Sequence, residues 1–315
     1  MERILIIGAC GQIGVELTLA LRAKYGNENV FAADIREENP LLAGTGPFAI
    51  LDVMDAEATR ALVRKEKITT IYLLAALLSA TGEKDPKLCW NLNIGSLRQV
   101  LDLGVEEKLK IFWPSSIAAF GPTTPRENTP QRTIMEPTTM YGITKYAGEL
   151  LCQYYKNKFS LDVRSVRYPG LISWKSEPGG GTTDYAVEIF YGAIREGKYT
   201  SFLSENTFLP MMYMDDAIRA TMQLMETPIE KIKSGMSYNL SAISFSPKEI
   251  AEAIKKHIPS FQISYKPDFH QPIADSWPKS IDDSVARAEW GWKHEYDLEK
   301  MTDVMLENLK KKLKQ

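Results

Sequence analysis

Cysteine and histidine are scarce in this sequence, at three residues each in 315. Cys10, Cys89 and Cys152 are odd in number, far apart and form no C-x-x-C pair, so neither a disulfide framework nor a zinc ribbon is indicated. His257, His270 and His294 are equally scattered, and no motif gathers several ligands for a metal, so none is expected. An excess of charge of one sign is also missing. The 38 Lys and Arg against 40 Asp and Glu leave a net charge of −2, which gives nucleic acid or an anionic membrane no electrostatic footprint. The one basic cluster, Lys310, Lys311, Lys312 and Lys314, closes a helix-like run through Leu298, Met301, Met305 and Leu309, where cations complement the helix dipole. No apolar run approaches the roughly 18 residues that a membrane helix needs. The chain enters an apolar strand at Ile4–Ile7 with no signal-like segment before it. A reduced, cytoplasmic location is the expectation.

What is present is alternation. Apolar runs at Ile4–Ile7, Val30–Ile35, Phe48–Val53, Thr70–Ala76, Lys110–Ser115 and Val163–Tyr168 read as strands. Helical periodicity separates most of them, over Ile13–Leu21, Ala56–Val63, Leu92–Leu103 and Tyr141–Tyr155. Strands alternating with helices predict an α/β fold, a Rossmann-type doubly wound parallel sheet. The pattern loosens after Pro169. A glycine-bearing loop at Ser173–Thr183 is followed by helices at Asp215–Met225 and Pro247–His257, a strand at Ser237–Leu240, and an irregular stretch at Lys266–Pro278. The expected division is a nucleotide-binding domain over 1–170, completed by about 212–240, with 171–315 mainly a smaller C-terminal α/β substrate lobe.

Three glycines, Gly8, Gly11 and Gly14, directly follow the first strand, with Gln12 and Ile13 opening the helix. Glycines there permit a tight turn, close approach of backbone N–H groups to a pyrophosphate, and a helix N-terminus aimed at it. Asp34 closes the second strand, twenty positions after Gly14, where a carboxylate accepts hydrogen bonds from the adenosine ribose and repels a 2′-phosphate. NAD is therefore expected in preference to NADP. Arg36 would blunt that argument if it faced the pocket, though a solvated loop arginine is the plainer reading. Asp52 and Val53 follow the third strand and meet the adenine edge in this scheme, Asp55 being the better helix N-cap. Leu74, Ala75 and Ala76 leave the fourth strand with small side chains beside the cofactor path.

Tyr141 and Lys145 lie four apart on a predicted helix and face one way. Tyr154/Lys158 and Tyr296/Lys300 share the spacing, but only Tyr141 opens the helix after the fifth strand, which ends in Ser115-Ser116. An ammonium near a phenol favours the phenolate, which makes Tyr141 a general base near neutral pH. A serine hydroxyl would hold the substrate oxygen in line with it.

Taken together, Gly8-x-x-Gly11-x-x-Gly14, Asp34, Ser116, Tyr141-x-x-x-Lys145 and Arg167-Tyr168-Pro169-Gly170 resemble the extended short-chain dehydrogenase/reductase family over nearly the whole chain. Ser116-Ile-Ala-Ala-Phe120-Gly121 is similar to that family's S-x-x-x-(Y/F)-G, which implies Ser116 rather than Ser115 as the catalytic serine. The resemblance also implies cofactor contacts by Tyr141, Lys145 and Tyr168. Four further stretches are similar to the family's L-threonine 3-dehydrogenase branch: those beginning at Gly179, Tyr213, Tyr238 and Ser276. This implies NAD-dependent oxidation of the threonine 3-hydroxyl, a helix-face homodimer and no metal. Substrate contacts would come from Ser116 and Tyr141 with Ser79, Thr182, Thr183, Asp184 and Trp277. Helix capping competes with substrate binding as a role for Thr182, Thr183 and Asp184. The loop Gly179–Tyr185 has no cation, whereas a nucleotide-sugar enzyme must neutralise a second diphosphate. A nucleotide-sugar 4-epimerase or dehydratase, and a non-catalytic dinucleotide sensor, remain the alternatives.

Overall fold

Four consecutive apolar residues can be buried on both faces only in the middle of a covered sheet, and Ile4–Ile7 (β1) occupies that place, with every residue buried. The computed structural model describes residues 2–314. β1 leads into helix α1 (Gln12–Tyr25), β2 (Val30–Asp34), β3 (Phe48–Ile50), α2 (Ala56–Lys65) and β4 (Thr70–Leu73). After β4 come α3 (Ser79–Lys84), α4 (Pro86–Glu107), β5 (Lys110–Phe112), β6 (Ser115–Ser116), α5 (Met140–Phe159), β7 (Val163–Arg164) and β8 (Val166–Tyr168). The six-stranded sheet has the order β3-β2-β1-β4-β5-β7, and every pairing is parallel. The strand order reverses direction between β1 and β4. The carboxyl ends of these two strands therefore form the crevice where doubly wound sheets bind ligands.

The remaining elements are β9 (Gly170–Ile172), α6 (Tyr185–Arg195), β10 (Lys198–Ser201), β11 (Leu209–Tyr213), α7 (Met214–Glu226), β12 (Tyr238–Asn239), β13 (Ile243–Phe245), α8 (Pro247–His257), β14 (Gln262–Tyr265), α9 (His270–Asp275), α10 (Ser284–Trp290) and α11 (Leu298–Lys312). Part of this half returns to the first. β12 pairs in parallel with β8, and α7 and α10 bury Ala217, Leu224, Ala286 and Trp290 in one core with β1 and α1. The rest has a β9-β11-β13 sheet and a β10–β14 pair, and its Tyr185, Phe190, Phe245, Phe261, Met301 and Met305 form a second core that also takes in Ile117–Phe120 and Met135 from the first half.

Several boundaries differ from the sequence reading, for identifiable reasons. Lys110–Ser115 is not one strand: Pro114, which has no N–H to give, separates β5 from β6. Val163–Tyr168 is interrupted at Ser165, whose carbonyl accepts from Tyr238 N at 2.9 Å and whose hydroxyl accepts from Ser237 at 2.6 Å. The stretch Lys266–Pro278 is not wholly irregular, because it contains α9. Helix α3 and strands β9, β10, β11, β13 and β14 have no counterpart in the sequence reading. The two clearest of the later expectations, α8 at Pro247–His257 and the loop before α6, stand as read; α8 starts with a capping box between Ser246 and Glu249.

Candidate active site

The carboxyl end of β1 turns sharply at Gly8, where φ is +90°. A Cβ on Gly8 would lie 2.6 Å from Ala75 N, and one on Gly14 would lie 2.2 Å from Gly8 O. The turn is pressed from one side by the exit of β4, where Leu74 N and Ala75 N both donate to Ile7 O, and from the other by α1. A side chain at either glycine would strike this backbone and force apart the turn whose amides could take a phosphate. Asp34, 4% exposed, sits beside this turn and accepts from Cys10 N at 2.9 Å. Burial pushes its pKa up, but hydrogen bonds from the Arg36 side chain and from Arg36 and Cys10 backbone outweigh it and hold the carboxyl below its ordinary value. Arg36 is an exposed loop arginine, as expected, but it is also paired: its Nε lies 3.1 Å from Asp34 Oδ1 and a terminal nitrogen 3.4 Å from Oδ2. Asp52 is exposed and accepts from Met54 N, Val53 is buried, and Asp55 caps α2.

Ser116 and Tyr141 meet because β6 runs into a 3-10 turn against the start of α5. Ala118 N donates to Ser116 Oγ at 3.2 Å, and Gly142 packs so closely on this turn that a Cβ there would lie 2.2 Å from Ala118 O. The adjacent Ser115 is engaged elsewhere, donating to Glu149 Oε1 at 2.6 Å. Of the two serines, only Ser116 adjoins the Tyr141 phenol. Lys145 is 3% exposed, and its Nζ donates to Pro114 O at 2.7 Å. It lies 4.6 Å from the centre of the Trp113 ring and 5.5 Å from that of Tyr141.

The electrostatics correct one expectation. Tyr141 is not lowered by the lysine. Burial pushes its phenol up to about 12, with the Ser116 hydroxyl opposing the shift. Burial also pushes Lys145 down to about 8, against the raising influence of Cys152, Cys89 and Glu149. Desolvation dominates both shifts, and the ammonium is aimed at a carbonyl.

The remaining residues expected at the site are placed differently from one another. Thr182 is 1% exposed, and its hydroxyl has no partner within the protein. Thr183 packs against Gly170. Asp184 stands at the N-cap position of α6 but makes no cap; its Oδ2 accepts from Gly179 N and Gly181 N at 2.7 and 2.8 Å and closes the glycine loop on itself. Ser79 is buried at the start of α3, and the first turn of α5 is tied to this helix by Met140 N donating to Glu83 at 2.7 Å. Trp277, by contrast, is a core side chain of the lobe. Tyr168 of β8 is likewise a core side chain, packed on Phe112 with its hydroxyl bonded to Thr221 of α7.

Other residues shape the site without any motif to announce them. Asn93 of α4 accepts from Leu77 N at 2.8 Å and donates to Leu77 O and Thr144 Oγ1, both at 3.1 Å, which ties the β4 exit to α5. The segment before the glycine loop is held twice. Glu16 of α1 takes Ser173 and Lys175, the latter at 2.9 Å, and Lys312 of α11 donates to the carbonyls of Trp174 and Lys175 at 3.2 and 3.1 Å. A basic cluster that reads as a plain helix end thus contributes a clasp. A cavity of about 450 Å³ lies on the lobe between α6 and β10, lined by Glu188, Tyr191, Arg195 and Tyr199, and does not include Tyr141. Among the described residues no group of three or more His, Cys, Asp or Glu side chains is placed to hold a metal, and no helix is long and apolar enough to cross a membrane.

The profile of the NAD dependent epimerase/dehydratase family matches residues 4–241, from β1 through β12. The chain belongs to that family. A Staphylococcus haemolyticus protein described as an uncharacterized epimerase/dehydratase is 54% identical over 314 residues, covering 99% of each chain. Among solved structures, the GalE-like L-threonine dehydrogenase of Cupriavidus necator in its holo form is 55% identical, covers 98% of this chain and 99% of its own, and superposes with a TM-score of 0.95. The L-threonine dehydrogenase of Clostridium difficile is 50% identical, covers 99% and 98%, and superposes at 0.97. For a member of this family, the short-chain dehydrogenase resemblance and the parallel Rossmann-type sheet described above are the expected frame.

Proposed function

We propose that this chain oxidises the 3-hydroxyl of L-threonine to 2-amino-3-oxobutanoate with NAD as the hydride acceptor, like the threonine dehydrogenases it is similar to. The observation that carries this reading is the meeting of Ser116 and Tyr141 beside buried Lys145; the glycine loop expected to bind substrate offers hydroxyls and no cation. Lys175, the nearest cation before that loop, is paired with Glu16. A second diphosphate would therefore find little to neutralise it there.

The glycine turn fits a dinucleotide: its backbone at Gly8, Gly11, Gln12, Ile13 and Gly14 would take the pyrophosphate, and Asp34 the adenosine ribose. Asp52, Val53 and Leu74–Ala76 would line the rest of the path, and Lys145 would hold the nicotinamide ribose. When bound, NAD supplies a cationic ring that accepts hydride. Ser116 would donate to the substrate hydroxyl oxygen and hold it in line with Tyr141. Tyr141 would take the hydroxyl proton as the C3–H electron pair leaves as hydride. A phenol at about 12 is a strong base but a scarce phenolate. A positive charge brought beside the phenol on binding would favour its ionisation. Thr182, with an unpartnered buried hydroxyl, would meet the substrate carboxylate, with Ser79 and Thr183 close by; the role proposed for Asp184 is the ammonium.

Residues 1–170 with about 212–240 would form the nucleotide-binding domain and 171–315 mainly the substrate lobe, a division supported by the β8–β12 pairing. Exposed Leu88 and Trp90 on α4 and Leu150 and Tyr154 on α5 support a homodimer through these two helices. Sedimentation would then give a dimer at micromolar concentration that Leu150→Asp dissociates; a monomeric wild type would overturn this. Three free cysteines suit a reducing cytoplasm.

The deciding experiment is absorbance of NADH with NAD and L-threonine, L-serine, D-threonine or UDP-sugars, in buffer containing EDTA. Steady NADH production with L-threonine alone is expected. Tyr141→Phe should reduce turnover by about 100-fold or more with NAD affinity kept within a few-fold. Interconversion of UDP-sugars without net NADH would instead favour an epimerase.

A further inference from the structure

Next to Ser116 and Lys145 lies an ion pair that the proposed chemistry does not use. Glu149 and Arg167 have no exposed side-chain surface. Arg167 Nε lies 2.9 Å from Oε1 of Glu149 and an Arg167 terminal nitrogen 2.7 Å from Oε2, a bidentate fork. The other donors of Arg167 reach Gln131 O at 3.0 Å and Asn239 Oδ1 at 2.9 Å, and its plane lies 5.2 Å from the centre of the Phe120 ring. Gln131 in turn accepts from Asn239 N at 2.8 Å and donates to Ser237 O at 2.7 Å. Ser115 completes the network through Glu149. One buried charge pair thus joins β6, α5, β8, β12 and the segment around Gln131.

Two of those attachments bear directly on the reacting groups. Ser115 immediately precedes Ser116. Glu149 is one helical turn beyond Lys145 and two beyond Tyr141, so the carboxylate gripping β6 grows from the helix that carries the lysine and the phenol. A buried pair of this kind is weak evidence for stability, since apolar side chains of similar volume often replace it without loss. Its geometry has a clearer consequence. It sets the spacing between the serine strand and the Tyr-Lys helix, and misplacing a reacting group by about 1 Å reduces rate by about 100-fold.

We propose that the Glu149–Arg167 pair is a positioning device for hydride transfer, fixing Ser116 on β6 against Tyr141 and Lys145 on α5. The proposal rests on the threonine-oxidation reading for its kinetic test and on geometry alone for its spectroscopic one. A second consequence is electrostatic. Lys145 is faced by Glu149 and Cys152 from its own helix, Cys89 from α4, the Trp113 ring and Pro114 carbonyl from the β5–β6 link, and Tyr141 one turn earlier. Burial lowers it, and Glu149 is the one carboxylate among the groups that oppose this. Removing that carboxylate lets Lys145 fall further. If the ammonium is the active form, activity is lost as pH rises through the Lys145 value, so the alkaline limb of kcat moves to lower pH.

The test replaces the pair by apolar side chains of similar size, Glu149→Leu with Arg167→Met. A thermal midpoint near wild type is expected, with kcat reduced tenfold or more, KM for NAD within about threefold, and the alkaline limb shifted down. A well-folded double variant with wild-type kcat and an unmoved limb would reduce the pair to packing and overturn the proposal. If that variant does not fold, Ser115→Ala removes only the grip on β6. A kcat lowered several-fold at unchanged thermal midpoint supports the proposal, and a wild-type kcat overturns it. Glu149→Gln is read without turnover, by NMR titration of ε-13C-labelled lysine with the Lys145 signal assigned from Lys145→Arg. A lower Lys145 titration point supports the electrostatic link, and an unchanged one overturns it. A wild type inactive on L-threonine would sink the proposed function while leaving this titration interpretable.

Discussion

Two glycine clusters border the site, and they are glycine for opposite reasons. In the turn at Gly8–Gly14 there is no room: added carbons would strike the backbone of Ala75, Gly8 and Ala9. In the loop at Gly179–Gly181 there is nothing but room. No atom lies within 4 Å of a Cβ built on Gly179 or Gly180, and Gly181 meets only the Asp184 carboxylate. The first cluster is immobilised by contact, which suits a ligand held the same way on every turnover. The second is held by few bonds: Asp184 accepts from Gly179 and Gly181 N, and Glu16 and Lys312 fix the segment before it. Opening it breaks those bonds but no packing around Gly179 and Gly180, which would suit groups that close over a small substrate and reopen.

The largest expected effect comes from violating the crowded turn. Gly14→Ala should weaken NAD binding by 100-fold or more, or prevent accumulation of folded protein, because overpacking against backbone cannot relax as a side chain can; overpacking typically destabilises by about 1–3 kcal/mol and sometimes more. NAD titration by tryptophan fluorescence alongside a thermal melt measures this, and wild-type affinity would remove the turn from the cofactor site. Next is Asp34→Ala. With Arg36 released from its partner beside the ribose pocket, the ratio of kcat/KM for NAD over NADP should fall by about tenfold or more, equivalent to about 1.4 kcal/mol. An unchanged ratio would mean that Asp34 does not govern the choice.

Effects in the open loop should be smaller and should separate stability from activity. Thr182→Val removes a buried hydroxyl that has no partner, so the thermal midpoint should hold or rise, since an unsatisfied buried group destabilises by about 1–3 kcal/mol. KM for L-threonine should nevertheless rise several-fold, and an unchanged KM would mean the hydroxyl does not touch substrate. Gly179→Ala, with open space around it, should change stability by less than about 1 kcal/mol and kcat by less than a few-fold. Hydrogen exchange over 179–184 should slow when NAD and a threonine analogue bind together; no change would argue against closure. The smallest effect concerns pH. The carboxyl of Asp34 is depressed, so its contribution is complete above the ordinary carboxylate value and disappears only as pH falls through the lower folded value. NAD affinity should therefore stay within about twofold between pH 5 and 8, and a loss near pH 6 would assign the ribose contact to another group.

The legible parts of the molecule were those where local chemistry dictates residue type. Gly8 and Gly14 must be glycine wherever backbones touch, and β1, with every residue buried, announces itself by four apolar residues in a row. Helices α5 and α8 show their periodicity and caps. The illegible parts depend on partners remote in sequence. Nothing near Arg167 foretells Glu149, 18 residues earlier, or Asn239, 72 later. Tyr168 looks like a member of a functional motif until Thr221 takes its hydroxyl. The lobe strands escaped because β9 and β13 are three residues long and β10 is largely exposed, too short and too mixed to show a period of two. The Tyr141–Lys145 spacing gave the right helix face but the wrong direction of shift, because spacing carries no information on desolvation.

The clasp from Lys312 to the carbonyls of Trp174 and Lys175 also bears on how the molecule is made. It spans 137 residues to Lys175, so a chain emerging vectorially from the ribosome can pair β1 to β8 long before the root of the loop receives its last bond. In a nascent chain the parallel sheet can therefore be in place while the segment before the glycine loop still lacks the half of its anchorage that only α11 supplies.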